Sequence, residues 1–103
     1  MTTKEEREQE LERQTHLRPP RKYQVLLHND HYTTWDFVVK VLERIFHKNQ
    51  TEAEQITYSV HHRGVGVCGE YSREIAQMKV LQVHSTAKAN GYPLRCSMKR
   101  LDD

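Results

Sequence analysis

Tyr23-Gln24-Val25-Leu26-Leu27-His28-Asn29-Asp30-His31-Tyr32-Thr33-Thr34-Trp35-Asp36-Phe37-Val38 is the stretch whose reading decides the fold. Tyr23, Val25 and Leu27 alternate with Gln24 and His28, the period of two that marks a half-buried strand. Asn29 to Thr34 is a polar turn. Thr33 with Asp36 three residues on has the form of a capping box and predicts a helix start there. Beyond it the apolar positions are Phe37, Val38, Val41, Leu42, Ile45 and Phe46, a wide stripe at period 3.6. A strand therefore runs through one short turn into an amphipathic helix.

Downstream the same signals repeat. Thr51 with Glu54 predicts a second helix start, with Ala53, Ile56, Thr57 and Val60 on the inward side, His61 at the edge of that face and Gly64 as the stop. Val65-Gly66-Val67-Cys68 reads as a short strand whose glycine marks a close approach. Ser72 can cap a third helix with Ala76, Val80, Val83 and Ala87 inward. Asn90-Gly91 ends it and Pro93 prevents its resumption. Leu94, Cys96 and Met98 alternate with Arg95, Ser97 and Lys99, a last half-buried strand. The order predicts an α+β class, a compact β-α-α-β-α-β domain over 23–103: a three-stranded antiparallel sheet with three helices packed on one face.

Upstream, residues 1–22 differ in kind. They carry six basic and five acidic residues, with Met1, Leu11 and Leu17 as their only large apolar side chains. Glu5 to Gln14 could form a transient helix, but it has no apolar face to dock. The expectation is a mobile, solvated N-terminal extension ending at the stiff Pro19-Pro20 pair.

Composition narrows the function. The 103 residues suffice for one domain. Sixteen Lys and Arg against 14 Asp and Glu leave a net +2, too even for the basic stripe of a nucleic-acid binder. No run approaches a membrane span and no secretory leader is expected, so a cytoplasmic location follows. Cys68 and Cys96, both among apolar neighbours, read as buried thiols, although a bridge between them stays open. The serines have no nucleophile elbow, and the four glycines form no phosphate cradle. His61 and His62 point about 100° apart on a helix and match no zinc spacing. His28 and His31 flank the turn holding Asp30, no more than a candidate surface site. No catalysis, cofactor or metal is called for.

What stands out is that the first strand delivers Asn29 and Asp30 to its end, while His61 sits at the margin of an apolar helix face. If the helices pack, an amide oxygen, a carboxylate and an imidazole converge beside an apolar depression, acceptors suited to an ammonium group. Asn29 and Asp30 can equally do no more than build the turn, and His61 no more than cap its helix.

At these residues the chain resembles the ClpS adaptor family. The resemblance rests on Tyr23 to Asp30 with Tyr32-Thr33, on Asp36-Phe37-Val38 to Phe46, and on Val60-His61, Cys68-Gly69, Pro93-Leu94 and Cys96. It covers residues 22 to 99. It implies a non-enzymatic adaptor of the bacterial Clp protease that captures proteins with a destabilising N-terminal residue (Phe, Tyr, Trp or Leu) for a Clp ATPase. It assigns Asn29, Asp30 and His61 to the substrate's α-amino group, with Val38, Thr57, Val60 and Leu94 lining the side-chain pocket, Trp35 at its rim and Thr33 nearby. Glu74 and Lys79 match positions that dock the N-terminal domain of a Clp ATPase of the ClpA or ClpC type. The adaptor alone is expected to be a monomer without nucleic-acid or membrane partners, and the family's tails are thought to enter the ATPase pore.

The chain departs from the family pattern at His31, Thr34, Trp35 and Thr57. His31 weakens negative potential at the mouth, Thr34 loosens the turn, Trp35 can stack on an incoming aromatic, and Thr57 makes its wall smaller and more polar. A preference for aromatic over Leu N-termini is expected. A slot narrow at Cβ excludes Ile and Val, and protonation of His61 turns an acceptor into a donor and weakens binding. The alternative is a non-catalytic interaction domain like the C-terminal domain of ribosomal stalk proteins, which needs no pocket.

Overall fold

The computed structural model describes residues 3–8 and 22–101. Of the predicted extension, residues 3–8 contain one helical turn. Thr3 and Glu6 close it reciprocally, each backbone N–H donating to the other's side chain at 3.1 and 3.2 Å. The remainder of the extension up to residue 21, Pro19-Pro20 included, lies outside the described residues.

The domain runs β1 (Lys22–His28), α1 (Trp35–Arg44), α2 (Gln50–Arg63), β2 (Val65–Ser72), α3 (Arg73–Ala89) and β3 (Arg95–Arg100). The sheet is antiparallel, in the order β2-β1-β3. Val25 and Leu27 of β1, Cys68 of β2 and Cys96 of β3 are buried under the helices, and Val41, Leu42, Phe46, Ala53, Ala76, Val83 and Ala87 complete the core. This is the predicted α+β architecture.

Four local expectations change. Helix α1 is capped by Thr34, not Thr33: Thr34 is extended and its hydroxyl accepts from the Phe37 N–H at 3.2 Å. The Thr33 hydroxyl and N–H are instead turned to Asp30, to which both donate. Helix α2 starts at Asn49, whose side chain accepts from Glu52 while Glu52 reaches back to the Asn49 N–H. Asn49-x-x-Glu52 is itself a capping box, and asparagine outranks threonine at that position, so Thr51 falls inside the helix. Strand β2 continues four residues past Cys68 to Ser72, through a bulge where its pairing to β1 jumps from Gly69 opposite Val25 to Val67 opposite Leu26. The possible Cys68–Cys96 bridge is also closed. Both thiols are free and buried, and β1 lies between their strands, about 9.6 Å apart at two strand spacings. A disulfide tolerates about 7 Å between Cα atoms. Burial pushes both thiols up, Cys96 to about 12, so neither is a ready nucleophile.

Gly66 is where α2 meets the sheet. A Cβ there would stand 2.6 Å from a Val60 methyl and 2.9 Å from the Ile56 carbonyl oxygen, which is the close approach read from the sequence. The contact seats the end of α2, and hence Val60 and His61, directly over β2.

Candidate functional site

The site begins where β1 ends. The Asn29 N–H donates to the Gly64 carbonyl at 2.9 Å, and Gly64 ends α2 in the left-handed conformation at φ 85°. One hydrogen bond thus ties the turn after β1 to the last turn of α2, which carries His61. Ser59, on the same helix, donates its hydroxyl to the Val65 carbonyl at 2.9 Å and so ties α2 to the start of β2.

Asp30 shapes the turn. Its Oδ1 accepts the N–H groups of Tyr32 at 2.8 Å and Thr33 at 2.6 Å, and its Oδ2 accepts the Thr33 hydroxyl at 2.6 Å. A carboxylate has about four acceptor positions; three are in use, and one remains for a ligand. Burial works to raise the Asp30 pKa. The Thr33 hydroxyl, the two backbone N–H groups and the charge of His31 outweigh it and hold the carboxyl below its ordinary range. Asp30 is accordingly a fixed anion at neutral pH.

His61 is exposed on the last turn of α2, and the Trp35 ring meets it edge to face with centroids 6.3 Å apart. Trp35 is the first residue of α1 and is 41% exposed. Val38, Thr57, Val60 and Leu94 are all buried. Thr57 donates its hydroxyl hydrogen to the Ala53 carbonyl at 2.6 Å. Its hydroxyl is thus satisfied within the helix and presents little polarity to its surroundings. Leu94 arrives just before β3, in a loop pinned to α1 by Tyr92, whose ring lies 4.5 Å from Phe37.

The two α3 residues are placed apart from this cluster and differ from each other. Glu74 is exposed in the first turn of α3. Lys79 is turned inward: its ammonium donates to the Ile45 carbonyl at 2.6 Å, past the end of α1, and lies 6.0 and 5.9 Å from the Phe46 and Tyr71 rings. Burial lowers its pKa.

One surface feature went unread in the sequence. A depression of about 420 Å³ runs beside Trp35, lined by Thr51, Glu54, Gln55 and Tyr58 of α2. These stand at i, i+3, i+4 and i+7 on the helix's outer side. The available signal was an aromatic on a polar helix face, three residues before His61. Among the described residues no His, Cys, Asp or Glu group could hold a metal ion, and no helix is long and apolar enough to cross a membrane.

Comparison with known proteins settles what such a domain is. Residues 18–97 match the family of the ATP-dependent Clp protease adaptor protein ClpS. The chain belongs to the ClpS family. A ClpS adapter of Oleidesulfovibrio alaskensis is 50% identical over 98% of this chain and 95% of its own length. One from Syntrophus aciditrophicus is 52% identical over 90% and 87% respectively. Among solved structures, Agrobacterium tumefaciens ClpS2 bound to L-phenylalaninamide matches with a TM-score of 0.78 and 29% identity, over 81% of this chain and all of that one. ClpS proteins are adaptors without catalytic activity, and membership sets aside the ribosomal-stalk alternative.

Proposed function

We propose that this ClpS protein recognises proteins by a free N-terminal Phe, Tyr, Trp or Leu and delivers them to a Clp ATPase-protease in the cytoplasm. The observation that carries the reading is the tie between the Asn29-Asp30 turn and the end of α2. It joins the backbone of the turn that carries Asn29 and Asp30 to the end of the helix that carries His61, and so supports their acting on one ligand. The relative with phenylalaninamide bound supports the same chemistry, an α-ammonium beside an aromatic side chain.

The ammonium has three hydrogens to donate, and the Asn29 oxygen, the Asp30 carboxylate and a neutral His61 nitrogen offer three acceptors. Hydrogen bonds to a charged group contribute about 1.5–3 kcal/mol each; an internal amide offers no such cation. Val38, Thr57, Val60 and Leu94 line the slot for the first side chain, with Trp35 at its rim and Thr33 fixing Asp30. Burying about 150–250 Å² of an aromatic side chain is worth about 4–6 kcal/mol. After the cost of association, an affinity on the order of micromolar follows.

The exposed start of α3 is the proposed docking face for the ATPase. Glu74 is the charge presented there, while Lys79 acts mainly by holding α1 in place. The N-terminal extension serves delivery, so deleting Met1 to Arg18 leaves peptide affinity intact and impairs degradation. The reading is tested by ranking peptides that begin with Phe, Tyr, Trp, Leu, Met and Ile in a fluorescence titration. Aromatic residues should lead, Leu should follow and Ile should fail; equal binding of all six would reject the pocket.

A further inference from the structure

The strand that follows Leu94 is held by a side chain from outside the sheet. β3 lies at one edge, beside β1 alone among the described strands. Just past it, the Leu101 N–H donates to the Lys22 carbonyl at 2.9 Å. Successive N–H groups of an antiparallel strand point to opposite edges. Those of Arg95, Ser97 and Lys99 therefore face β1, and that of Cys96 faces away from the sheet. His84 of α3 meets it there: the Cys96 N–H donates to Nε2 at 3.0 Å. Accepting at Nε2 requires the neutral imidazole with its hydrogen on Nδ1.

Leu94 depends on that contact. It is buried in the short link from α3 to β3. The link is fixed at its start, where the Gly91 and Tyr92 N–H groups donate back to the Lys88 and Ala87 carbonyls at 3.2 and 2.9 Å. Leu94 and Cys96 stand two residues apart, so in an extended chain their side chains share a face, and both are buried. A shift at Cys96 therefore carries Leu94 with it. Ser97, on the opposite face, is held separately: its hydroxyl lies 2.6 Å from the His28 Nε2. That bond and the pairing with β1 keep the strand in the sheet when His84 is changed.

We infer that His84 is a positioning residue for the slot that takes the substrate's first side chain: by accepting the Cys96 N–H it sets where Leu94 stands. The inference deepens the N-terminal reading above and rests on it, because Leu94 is one wall of that slot. His84 itself is exposed and is assigned to neither the peptide nor the ATPase. Without it, the backbone donor of a buried residue loses its acceptor, and the segment must shift to reach water.

The test compares three variants of the full chain, each titrated with otherwise identical peptides beginning Phe and Leu. Glutamine can bring its amide oxygen to where the imidazole Nε2 stands, asparagine falls one bond short, and leucine offers no acceptor. His84→Gln should keep both affinities, and their ratio, within about twofold of wild type. His84→Asn and His84→Leu should weaken the Phe-initiated peptide by about threefold or more, within what one hydrogen bond contributes, and shift the Phe-to-Leu ratio by about twofold or more. A purely structural role would lower stability and leave that ratio in place in the folded variants. Hydrogen exchange at the Cys96 N–H reports the bond without any peptide: slow in wild type and His84→Gln, faster in the other two. A wild-type ratio in His84→Asn and His84→Leu despite faster exchange overturns the positioning role, as does a shifted ratio in His84→Gln with exchange still slow. Either result leaves the N-terminal reading standing. Failure of the wild-type chain to bind any Phe- or Leu-initiated peptide would remove both.

Discussion

The two ends of α1 are each held by a charged side chain, and they differ in what they leave open. Before the helix, Asp30 gathers three hydrogens from Tyr32 and Thr33 and lies at the surface with acceptor capacity to spare. Past its end, Lys79 donates to the Ile45 carbonyl between the Phe46 and Tyr71 rings. Both satisfy polar groups near a helix terminus, but the Lys79 ammonium lies between a carbonyl and the faces of two rings, whereas the Asp30 carboxylate keeps an acceptor position unused. A charge that shapes the chain and keeps an open acceptor can also bind; a charge committed to a carbonyl and two ring faces serves structure first.

The sharpest way to break that contrast is at Asp30. Asp30→Ala should weaken a Phe-initiated peptide by about 10- to 150-fold, the loss of a hydrogen bond to a charged group. Asp30→Asn keeps an oxygen for the Tyr32 and Thr33 N–H groups, so its thermal midpoint should stay within a few degrees of wild type while affinity still falls. Wild-type affinity in Asp30→Asn would mean the anion only builds the turn. Gly66→Ala comes next. Its Cβ would meet Val60 and the Ile56 carbonyl, so denaturant melts should show a loss of about 1–3 kcal/mol, with peptide binding weakened through the displaced end of α2. An unchanged midpoint would show that the gap has room to relax.

Lys79→Met should cost about 1 kcal/mol through the lost carbonyl and ring contacts, lowering the thermal midpoint by about 4–8 °C. Peptide affinity should stay within twofold. If the midpoint holds and ATPase coupling alone is lost, Lys79 is a docking charge and the contrast between the two ends collapses. The smallest effect is acid-dependent. The Asp30 pKa is lowered from its ordinary 3.8, so its stabilisation is complete above that value and is lost as pH falls through the lower folded value. Acid melts of wild type and Asp30→Asn should therefore converge only below pH 3.8; convergence already at a higher pH would contradict the network.

Much of this was legible in the sequence because it is local. Alternation at Tyr23 to Leu27 and the stripe from Phe37 to Phe46 carry strand and helix directly, and the turn between them must deliver Asn29 and Asp30 to one end of the sheet. The helix starts were misplaced by one or two residues because Thr33-Thr34 and Asn49-Gln50-Thr51 each offer two cappers. Only the contact of Thr33 with Asp30, and the rank of Asn49, decide between them. Long-range facts were not legible at all. That β1 is central, keeping Cys68 from Cys96, is a matter of pairing. That Lys79 reaches Ile45 across 34 positions is a matter of packing, and the row from Thr51 to Tyr58 became a groove only when Trp35 was placed beside it.

The central claim is that the open end of α1 receives a free α-ammonium group, and N-terminal acetylation removes that group with little other change. Titrating one Phe-initiated peptide against its acetylated twin tests this most directly. The predicted result is a drop of about 100-fold or more on acetylation, reflecting loss of the charged hydrogen bonds to Asn29, Asp30 and His61. Equal affinity for the two peptides would contradict it.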